Sequence, residues 1–191
     1  LVEHIERMAP SYDVVIVTDF GHGLLTRAAT QSVTSRSRFV AVNAQSNSSN
    51  MGFNLVTKYP RADYICIDAP EARLAAADKY GDIAETVASH LAGRIACDRF
   101  IITHGRYGCV AFDRGTKALH HVPAFTSQAT DTMGAGDAFL AVTSPLVAAG
   151  GDMELIGFVG NAVGAMKVEI VGHRQSIEKI PLLKYLTALL K

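Results

Sequence analysis

The feature that most limits what this chain can fold into is its alternation of two textures. From Tyr12 onward, short β-branched runs such as Val14-Val15-Ile16-Val17 and Phe39-Val40-Ala41-Val42 alternate with longer Ala-rich or amphipathic stretches. Unbroken apolar runs suit strands buried on both faces of a parallel sheet, and amphipathic stretches suit the helices that cover those faces. The alternation predicts an α/β fold, a mostly parallel sheet flanked by helices.

In detail, the pattern predicts strands over 13–18, 39–42 and 64–67 and a helix over 26–38 that Thr26 opens as N-cap. Residues 43–50 are polar and read as a loop, and residues 51–59 read as a short helix. Pro70 and Glu71 stand in the first turn of a helix that Asp68 can cap. A further helix is expected over 82–95. Residues 100–103 and 109–112 read as strands joined by a Gly-containing turn, with 118–122 a third, giving the sheet an antiparallel edge. The last third reads as helices over 135–149, 153–168 and 178–190. No repeat, low-complexity tract or long linker divides the chain, so residues 1–191 are expected to form a single domain.

Charge narrows the partners. The 18 basic and 18 acidic residues cancel, and no long run of like charges offers a nucleic-acid footprint or a polybasic membrane patch. A small neutral or anionic ligand fits better. Cys66, Cys97 and Cys109 sit in apolar stretches without C-x-x-C spacing and read as buried reduced thiols. No apolar run approaches the roughly 18 residues of a membrane helix, and no signal peptide is seen, so a cytosolic protein is expected. The chain starts at Leu1 without an initiator methionine and reads as a piece of something longer.

The segment richest in chemistry is Asp131-Thr132-Met133-Gly134-Ala135-Gly136-Asp137. A Gly-Ala-Gly run opening a helix leaves backbone N–H groups unpaired, with the positive end of the helix dipole behind them and no side chain in a phosphate's way. A carboxylate just after it can take a proton from an incoming hydroxyl while the amides offset charge on a moving phosphoryl group. The competing reading is an ordinary glycine-rich helix start.

This segment resembles the D-T-x-G-A-G-D signature of the ribokinase-like (PfkB) carbohydrate kinases. The resemblance implies ATP and magnesium as cofactors, Asp137 as catalytic base, and an anion hole built from Gly134, Ala135 and Gly136. Asp68-Ala69-Pro70-Glu71 is similar to the family's N-x-x-E motif, which would make Glu71 a magnesium partner acting through water. Asp68 would lie near the phosphates in place of the usual asparagine, unless the pair merely caps a helix. Thr103, Gly105 and Gly108 resemble the turn beside the nucleotide, with a plain hairpin turn as the alternative. Asn161, in Asn161-Ala162-Val163-Gly164, resembles the adenine-packing segment, with close helix packing as the alternative. Gly172-His173-Arg174-Gln175-Ser176, with Asp131 and Met133, resembles the loops around a monovalent cation such as K+. The ligands there would be the carbonyls of Met133 and Gly172 together with Asp131 and Ser176.

Asp19-Phe20-Gly21-His22-Gly23-Leu24-Leu25-Thr26 is similar to the D-[YF]-x-x-G-x-L-T stretch of the branch that phosphorylates heptose phosphates, which would put Asp19 near the phosphate or the substrate. The same residues are no protein-kinase element, since the H-R-D and β3-lysine motifs are absent, and they lack the third glycine of a dinucleotide fingerprint. His120-His121 reads as decoration of an edge strand. The family's N-terminal signature, Gly-Gly sugar-recognition elements and lid are absent and would precede Leu1. The resemblance thus implies an ATP- and magnesium-dependent phosphotransferase acting on a sugar or sugar phosphate, with little turnover by this piece alone. Neither nucleic acid nor membrane is an expected partner, and a homodimer is the assembly it allows. A non-catalytic nucleotide- or partner-binding module and a vitamin or nucleoside kinase are the competing readings.

Overall fold

The computed structural model describes residues 1–126, 130–172 and 174–191. Helix α1 (Val2–Met8) and a 3-10 turn lead into β1 (Val15–Asp19), followed by α2 (Arg27–Arg36), β2 (Val40–Ala44), β3 (Tyr64–Asp68) and α3 (Ala69–Ala76). A helical stretch follows, α4 (Ile83–Glu85) and α5 (Ala92–Arg94) being joined by a π-wound segment, Thr86–Leu91. Three strands, β4 (Arg99–Thr103), β5 (Cys109–Asp113) and β6 (Ala118–Val122), precede the helices α6 (Ala135–Ala148), α7 (Met153–Val168) and α8 (Lys179–Leu189).

The six strands form one sheet in sequence order. β1 to β4 run parallel, and β5 is antiparallel to both β4 and β6. This is the mostly parallel α/β sheet with an antiparallel edge that the textures predict. Strand alternation divides the core in two. Val40, Val42, Ile65, Ile67, Phe100 and Ile102 pack with Val33, Ala72 and Leu91 on one face, where α2 to α5 lie. Ala41, Tyr64, Cys66 and Ile101 pack with Phe139, Leu140 and Ile156 of α6 and α7 on the other. All three cysteines are buried and free.

Local chemistry sets the helix starts. Thr26 Oγ1 accepts from the Ala29 amide at 3.3 Å and Asp152 from the Leu155 amide at 3.0 Å, each satisfying an orphan donor of the first turn. The expected helix over 51–59 shrinks to a single 3-10 turn, Val56–Lys58. Gly52 lies at φ 81°, outside the right-handed helical region. Asn54 is tied back to the ends of β1 and β2 instead: its Nδ2 donates to the Asp19 and Gln45 carbonyls, both at 3.0 Å. Among the described residues, no helix is long and apolar enough to cross a membrane.

Candidate active site

At the carboxyl ends of the central strands, the start of α6 faces the start of α3 across a cleft of about 260 Å³ lined by Gln45, Asp68, Glu71, Thr103, Gly136 and Asp137. Parallel sheets gather ligands at this edge because loops and helix N-termini converge there. A second, more apolar cavity of about 210 Å³ adjoins it, sharing Thr103, Thr132 and Gly136. Gly105, Gly108, Phe139, Asn161 and Gly164 line its far side.

The Gly-Ala-Gly turn is bent into place by its own backbone. Gly134 sits at φ 71°, the left-handed conformation that glycine adopts without penalty. The Ala135 amide, expected to point into an anion hole, instead donates to the Thr132 carbonyl at 3.2 Å, since the tight turn brings that oxygen back over it. The next two amides of α6, Gly136 and Asp137, have no acceptor among the described residues. No described atom outside the helix approaches where a Gly136 Cβ would stand. The half-buried Asp137 carboxylate accepts a hydrogen bond from Gln45 Nε2 at 3.1 Å, which fixes its aim from the opposite wall.

Asp68 and Glu71 form a reciprocal capping box on α3. The Glu71 amide donates to Asp68 Oδ1 at 2.8 Å and the Asp68 amide to Glu71 Oε2 at 3.0 Å. The capping reading of this pair is therefore realised, and both side chains also line the cleft. Glu71 Oε1 takes a third bond, from the Ser46 amide at 3.0 Å. Burial pushes the Glu71 carboxyl up to about 7, reinforced by the neighbouring Asp68 charge and opposed by the bonds from the Asp68 and Ser46 amides. Ser46 Oγ and Asn43 Oδ1, also in the cleft, are buried without partners among the described residues. Oxygen donors left over beside two carboxylates suit a hydrated magnesium ion, which keeps several of its waters. Among the described residues no group of three or more His, Cys, Asp or Glu side chains converges to bind a metal directly.

The turn after β4 also needs its glycines. Gly108 has φ 89°, and a Cβ there would lie 2.0 Å from the Val122 carbonyl oxygen. Among the described residues, Thr103 Oγ1 reaches only the Ile67 carbonyl, at 3.5 Å. Asn161, 8% exposed, donates both amide hydrogens to strand-end carbonyls, those of Val122 and Pro123, each at 2.9 Å. It thus braces the cavity wall that it lines. Among the described residues, no atom beyond the helix's own backbone and the adjoining residues lies within 4 Å of where a Gly164 Cβ would stand, so the missing side chain keeps that cavity open.

Two sequence expectations find different surroundings. Asp19 lines neither cavity. It is buried, paired with the Lys58 ammonium, and accepts from Tyr59 Oη at 2.8 Å and the Gly21 amide at 3.0 Å. Burial alone would raise its carboxyl, but these bonds hold it below the ordinary range. Of the anticipated cation ligands, Asp131 accepts from the Met133 amide at 2.9 Å and from the Gly172 amide at 2.7 Å. The Gly172 carbonyl accepts from Lys167 Nζ at 2.7 Å. Ser176 is exposed and joins none of these bonds, and His173 lies outside the described residues. Gln45, Ser46 and Lys167 were not anticipated. Gln45 and Ser46 follow directly on the buried strand β2, and that place at the carboxyl end of a parallel sheet was the available signal.

Comparison with known proteins sets the cleft in context. The sequence model described as pfkB family carbohydrate kinase matches residues 21–180. The chain is 28% identical over 178 residues to "Bifunctional protein HldE" of Rhodopseudomonas palustris, covering 90% of this chain and 35% of that protein. Among solved structures, Arabidopsis thaliana ribokinase complexed with ribose and ATP superposes with a TM-score of 0.74 at 16% identity, covering 95% of this chain and 58% of that one. Phosphofructokinase-2 from Escherichia coli in complex with potassium gives a TM-score of 0.78 at 14% identity, covering 100% and 62%. These structural likenesses show the fold, and the chain spans about a third of the length of its curated relative.

Proposed function

The chain belongs to the pfkB family of carbohydrate kinases, and from that membership we propose that it moves the terminal phosphoryl group of ATP to a hydroxyl of a sugar or sugar phosphate. The observation that carries the proposal is the joining of two cavities at the start of α6. One is polar and holds Asp137, Asp68, Glu71 and the free amides; the other is apolar and of a size to take a nucleobase. In this reading Asp137 accepts the proton of the attacking hydroxyl. The Gly136 and Asp137 amides, backed by the α6 dipole, offset the charge that develops on the transferring group. Magnesium, when bound, neutralises phosphate charge, and Glu71 and Asp68 would hold it through water with Ser46 beside them.

The stretch from Asp19 to Thr26 and the match to the HldE protein favour a sugar phosphate over a free sugar as acceptor. We take residues 1–191 to form one unit of that machinery, acting in the cytosol. The test has two arms. Calorimetric titration with ATP and ADP is expected to show binding that strengthens when magnesium is added. A phosphorylation screen of the intact protein against sugars, sugar phosphates and nucleosides is expected to single out a sugar phosphate. Binding indifferent to magnesium would favour a non-catalytic module, and turnover of nucleosides alone would overturn the acceptor class.

A further inference from the structure

We propose that the buried ammonium of Lys167 occupies the role of a monovalent cation beside the phosphate turn, so that this chain's nucleotide cleft does not depend on potassium. The inference rests on the phosphotransferase reading of the cleft and adds to it an internal, covalently attached counterpart of the ion. Lys167 lies in the last turn of α7 and is 5% exposed. A lysine is rarely buried so deeply without a partner that justifies it. Its acceptor is the Gly172 carbonyl at 2.7 Å, one of the oxygens that the family resemblance assigns to the metal ion.

From that carbonyl the connection runs straight to the anion hole. The Gly172 amide donates to Asp131 Oδ2 at 2.7 Å, and Asp131 Oδ1 accepts from the Met133 amide at 2.9 Å. Met133 immediately precedes Gly134, whose left-handed conformation starts α6. The amides of Thr130 and Asp131 also both donate to the Val168 carbonyl, at 2.9 and 3.0 Å, so the segment is pinned to the residue next to the lysine. A positive charge at one end and a carboxylate at the other thus hold the two loops together, which is what a metal ion bridging them would do.

The donors present do not fit such an ion in addition. Its carbonyl ligand already receives a cationic N–H, and a second cation on the same oxygen would meet the first at short range in a poorly solvated site. Ser176, the hydroxyl that would complete the ligand set, is exposed and stands outside the network. Lys167 is accordingly a positioning residue: it acts on phosphate binding through Gly172, Asp131 and Met133.

The experiment compares the intact wild-type protein with Lys167→Met, in potassium chloride and in tetramethylammonium chloride of equal ionic strength. Melting of the nucleotide-free protein and affinity for magnesium-ADP are both read. The wild type is expected to melt at the same temperature in both salts and to bind magnesium-ADP within about twofold in both. Lys167→Met is expected to bind about tenfold more weakly in tetramethylammonium and to recover most of that loss in potassium, with a potassium-specific rise in melting temperature of about 3 °C. A wild type that potassium specifically stabilises or tightens overturns the proposal, and needs no variant to do so. So does a variant as indifferent to potassium as the wild type. If no protein binds nucleotide in either salt, the phosphotransferase reading fails, and the melting data alone still decide whether the lysine replaces an ion.

Discussion

Asp137 and Glu71 line one cleft under different constraints, and each supports its own prediction. Among the described residues, Asp137 receives the Gln45 bond alone, at its Oδ1, which leaves the carboxylate able to take a proton. Asp137→Asn keeps shape and the first-turn position but removes that basicity. In the intact protein, kcat should fall by about 10²–10⁴-fold while affinity for magnesium-ATP stays within a few fold. Steady-state kinetics with a binding titration would show it; turnover near wild type would remove Asp137 from the role. Glu71 gives a pH signature instead. With its carboxyl raised from 4.5 to about 7, the folded chain keeps the proton over a range in which the unfolded chain has released it. The sign follows: Glu71 makes the nucleotide-free protein lose stability as pH rises from about 4.5 to about 7, after which its contribution is level. Magnesium-assisted binding needs the ionised form, so affinity for magnesium-ATP should weaken as pH falls through about 7. Melting and titration across pH 4.5–8 should show both slopes in the wild type and neither contribution in Glu71→Gln.

At the scale of elements, α6 and α7 carry most of what distinguishes the site, and they are held by specific contacts with the sheet and each other. Thr143 on α6 donates to the Phe139 carbonyl at 2.8 Å, so the buried Tyr64 hydroxyl 2.9 Å away serves as donor to it. Tyr64→Phe should therefore lower unfolding stability by about 1 kcal/mol in urea denaturation, without altering the cleft. On α7, Gly164→Leu would place a side chain in open space within the apolar cavity. Affinity for ATP should drop by about tenfold or more, while the melting temperature holds or rises because glycine is a poor helix former. A variant that binds ATP as the wild type does would show that the nucleobase lies elsewhere. These elements also show how far sequence reasoning reaches. The strands and the Thr26 and Asp68 caps are local in origin, fixed by β-branched runs or by a side chain three residues from its partner, and so were legible. Gln45 steers Asp137 from 92 residues away, and no local pattern encodes that meeting. Lys167 is only five residues from Gly172, yet its bond depends on how the chain reverses after α7. The cation loops were recognised by resemblance, which supplies a list of oxygens but not which of them a neighbouring side chain already holds.

For the whole molecule, the sheet grades from a doubly covered centre to a barer edge. Ile65 and Ile67 of β3 and Ile102 of β4 are buried on one face and Cys66 and Ile101 on the other, whereas Ile16 on the β1 edge is 40% exposed. Amide hydrogen exchange should therefore be slowest in β3 and β4, with protection near the global unfolding free energy, and measurably faster in β1. Equal protection of β1 would mean that the edge is covered in the native protein by something beyond these residues. The sheet also decides what faces the cleft, because α3 and α6 cover opposite faces yet both start at the same end of it. The first helix has closed its own amides with Asp68 and Glu71, and the second has left Gly136 and Asp137 unclosed. The cavity is therefore polarised from wall to wall, hospitable to cations on one side and to anions on the other. On the proposed reading, a ligand that carries both signs, such as a metal-chelated triphosphate, would favour one orientation in it, which would set the direction of the end phosphate before an acceptor arrives.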